Sequence, residues 1–164
     1  MDIKSGKGGS QGDVFIDAAL EEALNAINNN DGGPFGAVIV QNNVIIARGH
    51  NMVIGSKDPT AHAEIIAIRR ASLILNRFDL SDCDIYSTCE PCPMCLSAIL
   101  WARIKTLHYG CSKKDAAAIG FDDELFYELL KGDSNKYLDI IQTDRDKCLK
   151  LFNIWKTKED KIQY

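Results

Sequence analysis

The sequence predicts an α/β fold of three layers, α/β/α, around a mixed, mostly parallel sheet of five strands. Three observations lead there. Short β-branched runs alternate with longer stretches of helical periodicity, the pattern of strands joined through helices. The first two runs, residues 36–40 and 44–47, are separated only by Gln41, Asn42 and Asn43, which predicts one antiparallel hairpin turned at an Asn pair. A length of 164 residues suits a single domain, since chains divide at roughly 100–200 residues each, and about 70% of the surface of such a chain is buried on folding without disulfide help.

The elements follow in order. Residues 1–12, rich in Gly, Ser and Lys, have nothing to bury and read as a flexible lead, so the domain is expected over 13–164. Ile16, Leu20, Ala23, Leu24 and Ile27 recur at helical spacing, and the run from Asn28 to Gly33 ends that helix. After the hairpin, Asp58, Pro59 and Thr60 carry helix-start chemistry and no breaker interrupts 61–75, so a second helix begins close to His62. Residues 84–88 read as a strand. Pro91 opens a third helix that stops near Arg103, and 105–109 form the next strand. Asp122 or Asp123 is placed to cap a helix through Leu130, residues 138–142 read as a fifth strand, and Asp144 as the cap of a last helix to about Trp155.

A composition of 46% hydrophobic and 26% charged residues is that of an ordinary globular protein and excludes extended disorder. Lys plus Arg number 19 against 23 Asp plus Glu, a formal charge of −4, which argues against a nucleic-acid partner held by its phosphates. No apolar h-region opens the chain and no stretch of about 18 apolar residues occurs, so a cytoplasmic protein without membrane contact is expected. In that compartment the six cysteines stay reduced, and their spacing is read for metal or catalysis.

Two clusters carry chemistry: His62-Ala63-Glu64 and Pro91-Cys92-Pro93-Met94-Cys95, each at a predicted helix start. Cys92 and Cys95 share one helical turn, where thiolates would face unpaired N–H groups and the positive end of the helix dipole. With His62 they make three ligands for one zinc per chain, leaving the fourth tetrahedral position to water or hydroxide, as catalytic sites do. Two thiolates neutralise the dication and weaken its acidifying effect, so a base is needed. Glu64, not a ligand, is the expected proton carrier, with a pKa raised if enclosed. A lone Cys-x-x-Cys is often structural or redox-active, and a lone His-x-Glu is often mere helix surface; the specificity lies in their combination. Cys89 would extend the motif to C-x-x-C-x-x-C, an iron–sulfur pattern, but it sits on a strand end and lacks a fourth cysteine nearby. Cys83, Cys111 and Cys148 read as small buried hydrophobes, and His50 and His108 as strand-end residues.

The pair H-A-E and P-C-P-M-C resembles the zinc-dependent nucleobase and nucleoside deaminases of the cytidine deaminase-like fold. The likeness is greatest to the bacterial guanine deaminases, through Gly32-Gly33-Pro34-Phe35-Gly36-Ala37, Asn51, Asp58-Pro59-Thr60, Thr88-Cys89-Glu90, Trp101-Ala102-Arg103 and Gly120-Phe121-Asp122-Asp123. That resemblance implies hydrolysis of guanine to xanthine and ammonia, in purine catabolism or salvage, with Glu64 shuttling the proton. It also implies that Phe35 and Trp101 wall the purine pocket, that Asn51 bonds the base and that Asp123, with Asp122, accepts from guanine N–H groups. By the same likeness the protein is a homodimer, and a carboxyl-terminal segment ending at Tyr164 covers the site from its own or the partner subunit. Each assignment has a plain rival: core packing for Phe35 and Trp101, a turn for Asn51, a helix cap for Asp122 and Asp123, fraying for Tyr164. A tRNA adenosine deaminase or another free-base deaminase, of cytosine or adenine type, shares the motifs. Against the tRNA reading, the tail mixes Lys147, Lys150, Lys156, Lys158 and Lys161 with Asp144, Asp146, Glu159 and Asp160. A non-catalytic zinc-stabilised module would have no use for Glu64.

Overall fold

The computed structural model describes residues 11–132 and 138–163, so the lead through residue 10 and Tyr164 lie outside the described residues. The chain divides into two units, Met1–Asp123 and Glu124–Tyr164. In the first, α1 (Gln11–Asn28) precedes the hairpin β1 (Gly36–Gln41) and β2 (Val44–His50). Then come α2 (Val53–Ser56), α3 (Ala63–Leu75), β3 (Asp84–Cys89), α4 (Pro93–Trp101), β4 (Thr106–Cys111) and α5 (Lys113–Ala118). The first helix thus starts two residues before the expected domain boundary.

The hairpin forms as its Asn pair predicts. Gln41 pairs with Val44, and Asn42 and Asn43 between them adopt φ of 49° and 63°, the left-handed conformation that a two-residue turn of this hand demands at both positions. Asn tolerates that region better than other non-glycine residues, which is why two of them suffice without a glycine.

The sheet is mixed, in the order β2-β1-β3-β4. The expected five strands and the parallel majority need correction. β1 is antiparallel to both β2 and β3, and only β3 with β4 is parallel. The crossover through α3 carries β3 past its parallel mate β2 to the far side of β1, so one reversed strand inserted between them turns two pairings antiparallel. Alternation of helix and strand in sequence could not reveal that insertion.

The three layers are as expected. Along β1, Ala37 and Ile39 face a cluster with Ala63, Ala67 and Ala71 of α3, Ile85 of β3 and Ile99 of α4. Val38 and Val40 point the other way, onto Phe15, Ala18 and Ala19 of α1 with Tyr86. This period of two on β1 against an i, i+4, i+8 alanine stripe on α3 lets a helix lie close to each face. Ile39 and Ile85 are fully buried, and burial of each such side chain contributes about 1.5–3 kcal/mol.

In the second unit, α6 (Glu124–Leu130) and α7 (Arg145–Thr157) form as expected, but residues 138–142 are irregular. Leu138, Ile140 and Ile141 are 61%, 77% and 79% exposed, and an apolar run makes a strand only where a neighbouring strand takes its N–H and C=O groups. Asp144 occupies the position before α7 with φ of 51°, yet its carboxylate pairs with Lys147 Nζ at 2.7 Å instead of capping a helix N–H. The short helices α2 and α5 were not expected. α5 had a legible signal: Ser112 and Asp115 form a reciprocal capping box. Cys83 is buried as expected; Cys111 and Cys148 are exposed, Cys111 because β4 offers one edge of the sheet to no described strand.

Candidate active site

Two helix starts build the metal side. His62 and Cys92 are the residues immediately before α3 and α4, with extended backbones of ψ 157° and 167°, and Pro93 takes the first position of α4, where a missing N–H costs nothing. Cys95 is the third residue of α4. His62 Nδ1 lies 3.6 Å from Cys92 Sγ and 3.5 Å from Cys95 Sγ, and all three ligand atoms fall within 4.8 Å of one another. A tetrahedral ion with the usual zinc–nitrogen and zinc–sulfur bonds would hold such atoms about 3.6 Å apart. One imidazole and two thiols therefore fit zinc in both donor type and spacing. Three protein ligands leave a position for solvent.

The protons are arranged to suit a cation. The Cys92 thiol is pushed down to about 4, because Cys95 and then His62 donate to its sulfur. Cys95 is pushed up for the complementary reason: it supplies the proton that Cys92 shares, and burial opposes its charge. His62 is raised chiefly by its bond to the Cys92 sulfur. The sulfur of Cys92 is thus the one that favours negative charge, as a metal ligand must.

Glu64, the second residue of α3, is 6% exposed, and loss of water raises its pKa above the usual carboxylate range. Its Oε1 accepts from Ser87 Oγ at 3.2 Å, and that hydroxyl in turn accepts the Cys89 N–H at 3.5 Å. Ser87 is itself 1% exposed on β3. Sequence reasoning missed it; its signal was a small hydroxyl inside an apolar strand, a group that must find a partner when buried. Glu64 is thereby an enclosed carboxyl with one oxygen bonded by a buried hydroxyl, and its own N–H and the Cys95 thiol bond the carboxyl as well.

The residues expected to bind a base stand on loops. Asn51, one residue past β2, is 5% exposed; its N–H donates to the Phe35 carbonyl at 3.0 Å and its Oδ1 accepts the Val53 N–H at 3.2 Å. The turn-forming role set against substrate binding is therefore real, but it engages only the oxygen, leaving the amide nitrogen to donate. Phe35 is half-buried, and its ring meets Phe121 edge-on, centroids 4.9 Å apart. Phe121, part of the Gly120–Asp123 motif, is a pocket residue that sequence reasoning missed. Gly33 makes that contact possible: a Cβ there would lie 2.7 Å from Phe121 Cζ. Asp123 is half-buried; desolvation raises its carboxyl pKa and the Cys92 charge raises it further, which sets it within electrostatic reach of the metal side. Asp122 is exposed. Trp101 is not brought to this group. It ends α4, 68% exposed, six residues beyond Cys95 and so about 9 Å further along the helix axis. Tyr164 lies outside the described residues.

Of the remaining candidates, Cys89 stays outside the ligand group; its thiol points to the Ser112 carbonyl at 3.6 Å, and burial lifts its pKa to about 11. His108 stacks on Tyr86 with ring centroids 4.2 Å apart, within β4 instead of at its end. His50 ends β2 between two carboxylates.

Residues 10–111 match the cytidine and deoxycytidylate deaminase zinc-binding region. The guanine deaminase of Bacillus subtilis is 44% identical over 153 residues, 93% of this chain and 98% of that protein. The crystal structure of a guanine deaminase from Bacillus subtilis superposes with a TM-score of 0.88 at 42% identity, covering 93% of this chain and 98% of the other. A tRNA-specific adenosine deaminase of Buchnera aphidicola is 39% identical over 145 residues, 88% of this chain and 93% of that one.

Proposed function

This chain belongs to the cytidine and deoxycytidylate deaminase zinc-binding family, and we propose that it hydrolyses guanine to xanthine and ammonia. The observation that carries the choice of guanine is the extent of the likeness to the Bacillus subtilis enzyme, which spans 98% of that protein and includes the residues after the shared zinc region. The metal side alone does not select a ring.

His62, Cys92 and Cys95 would hold the zinc, which would supply an acidified water at neutral pH as the nucleophile. Glu64 takes a proton from the water that adds to C2 and delivers it to N3. The second water proton passes to the amino nitrogen, the C2–N bond breaks, and ammonia leaves as the new carbonyl forms. Its enclosure suits Glu64 to both states, since desolvation makes the carboxyl a better proton acceptor than a free one. Ser87 keeps one carboxylate oxygen fixed through this cycle. Asn51 donates to an acceptor on the purine, Phe35 stacks on it, and Asp123, with Asp122, accepts from its N–H groups. A role for Trp101 in the same pocket gains no support from its position at the end of α4.

The finer reading is a cytoplasmic homodimer acting in purine catabolism, with a carboxyl-terminal segment as a cover for the site, from the same or the neighbouring subunit, and Tyr164 at its end. Its support is chemical. Phe126, Leu130, Ile141, Leu151, Phe152 and Ile154 are all at least half exposed in one chain, and apolar surface of that extent marks an interaction site. No described helix is long and apolar enough to cross a membrane.

The test is ammonia release from guanine, adenine, cytosine, their nucleosides and a tRNA anticodon stem-loop. Guanine is expected to exceed every other arm by at least about a hundredfold, a discrimination within reach of a site that hydrogen-bonds its substrate's polar edge. Preference for the stem-loop overturns the assignment.

A further inference from the structure

His50 is used by none of the chemistry above, yet it is held more fully than any other histidine described. Its Nδ1 lies 3.0 Å from Glu22 Oε2 of α1, and its Nε2 lies 3.0 Å from Asp31 Oδ2 in the loop leaving α1. The three side chains are only 12%, 12% and 22% exposed. The ring thus presents one nitrogen to each carboxyl group and ties α1 to the loop that follows it. Such bonds are directional, and a buried polar group left without its partner is costly.

The cluster stands directly behind the Asn51 amide. Asp31, gripped by His50, receives Ile54 and Gly55 N–H groups on its carbonyl at 2.8 and 3.0 Å, and so fixes the start of α2 just beyond Asn51. Gly32, the next residue, lies so close to the Asn51 amide that a Cβ would fall 2.0 Å from Oδ1. Two dipeptides, Asp31-Gly32 and His50-Asn51, are thus fastened side by side: the first residues of each by a hydrogen bond, the second by contact. We propose that the Glu22–His50–Asp31 cluster is a positioning device for base recognition, holding the Asn51 amide at a set distance and orientation toward the purine. The proposal rests on the reading of Asn51 as a base ligand. His50 itself is a positioning residue; it acts through Asn51.

The test compares full-length wild type with His50→Ala, Asp31→Asn and, as a stability control, Val40→Ala, a core truncation on the α1 side of the sheet. Zinc content, Tm, kcat and KM for guanine, and the Kd of xanthine by calorimetry are measured for each. His50→Ala is expected to raise KM and the xanthine Kd about tenfold or more together, with kcat within about twofold and one zinc per chain retained. Added imidazole is expected to recover part of the loss by refilling the ring's place. Asp31→Asn, which keeps shape and removes one charge, gives a smaller shift in the same direction and serves if the Ala variant does not fold. Val40→Ala lowers Tm and leaves KM unchanged. A fall in Tm with unchanged KM and Kd in the His50 and Asp31 variants overturns the proposal, as does loss of zinc with a matching loss of kcat. Wild type inactive on guanine would instead refute the substrate assignment, and the same variants would then be read against whichever base it turns over.

Discussion

The two sides of the site are built by different means. Every group of the metal side sits on the first turn of a helix or the residue before it: His62 and Glu64 at α3, Cys92 and Cys95 at α4. Local backbone geometry and a proline suffice to bring the two sulfurs together, and the parallel β3–α4–β4 unit presents them. The base side has no such frame. Phe35, Asn51 and Asp123 stand on three separate loops, and their places depend on partners far away in sequence: Phe121 against Phe35, Gly32 against Asn51, Glu22 and Asp31 around His50. If the proposed roles hold, reactivity is set by short-range geometry, whereas selectivity is set by long-range packing. Damage to the first should stop chemistry; damage to the second should weaken grip on the base.

The sharpest way to break that distinction is to remove groups from the metal side one at a time. Cys92→Ala is expected to lose zinc and all measurable ammonia release, because two remaining ligands hold the ion poorly. Glu64→Gln is expected to keep one zinc per chain and to lose about 10²–10⁴ in kcat, the usual share of a general acid–base group, with KM little changed. Metal analysis beside steady-state kinetics separates the two. A Glu64→Gln enzyme with wild-type turnover ends the proton-carrier role, and one whose KM alone suffers would move Glu64 to the base side.

The same distinction explains what could be read from the sequence. His62, Glu64, Cys92 and Cys95 were legible because their spacing is their geometry: residues two or three apart at a helix start have few other arrangements. The hairpin was legible for a similar reason, two asparagines at a turn that needs two positive φ values. What stayed hidden was pairwise and distant. Nothing in 84–89 says that β3 lies beside β1 instead of β2, so the sheet's antiparallel majority was missed, and with it the route by which Ser87 reaches Glu64. Residues 138–142 have the composition of a strand without a described neighbour to pair with. Phe121 was visible only as one letter in a motif until Gly33 was found beneath it.

A milder probe acts on the base side. Gly33→Ala places a methyl 2.7 Å from Phe121 Cζ and 3.0 Å from Phe35 Cε2, closer than carbon atoms approach, so the edge-on pair must separate. Such pairs are worth about 0.5–1.5 kcal/mol. The expected result is a rise in guanine KM of roughly 2–10-fold with zinc content and kcat preserved. If kcat falls and KM holds, the aromatic pair serves the reaction itself and the division between the two sides fails.

The smallest effect should come from the helix that leads into Phe121 and Asp123. Ser112 Oγ accepts the Asp115 N–H at 3.4 Å, and Asp115 Oδ2 accepts the Ser112 N–H at 2.8 Å, closing the start of α5. Ser112→Ala removes one half of that box, and loss of such a cap is expected to lower Tm by about 2–4 °C. The Ser112 hydroxyl, then its N–H, hold the Asp115 carboxyl below its ordinary value. A depressed folded-state pKa stabilises above the unfolded value, near 4, and that contribution disappears as the pH falls through the folded one. The gap in Tm between wild type and Ser112→Ala should therefore be full at pH 7 and narrow below about pH 4. Because α5 positions the Phe121 loop without touching the base, KM should move less here than in Gly33→Ala. An equal or larger shift in KM would show that α5 governs base recognition more directly than the Phe121–Phe35 contact does.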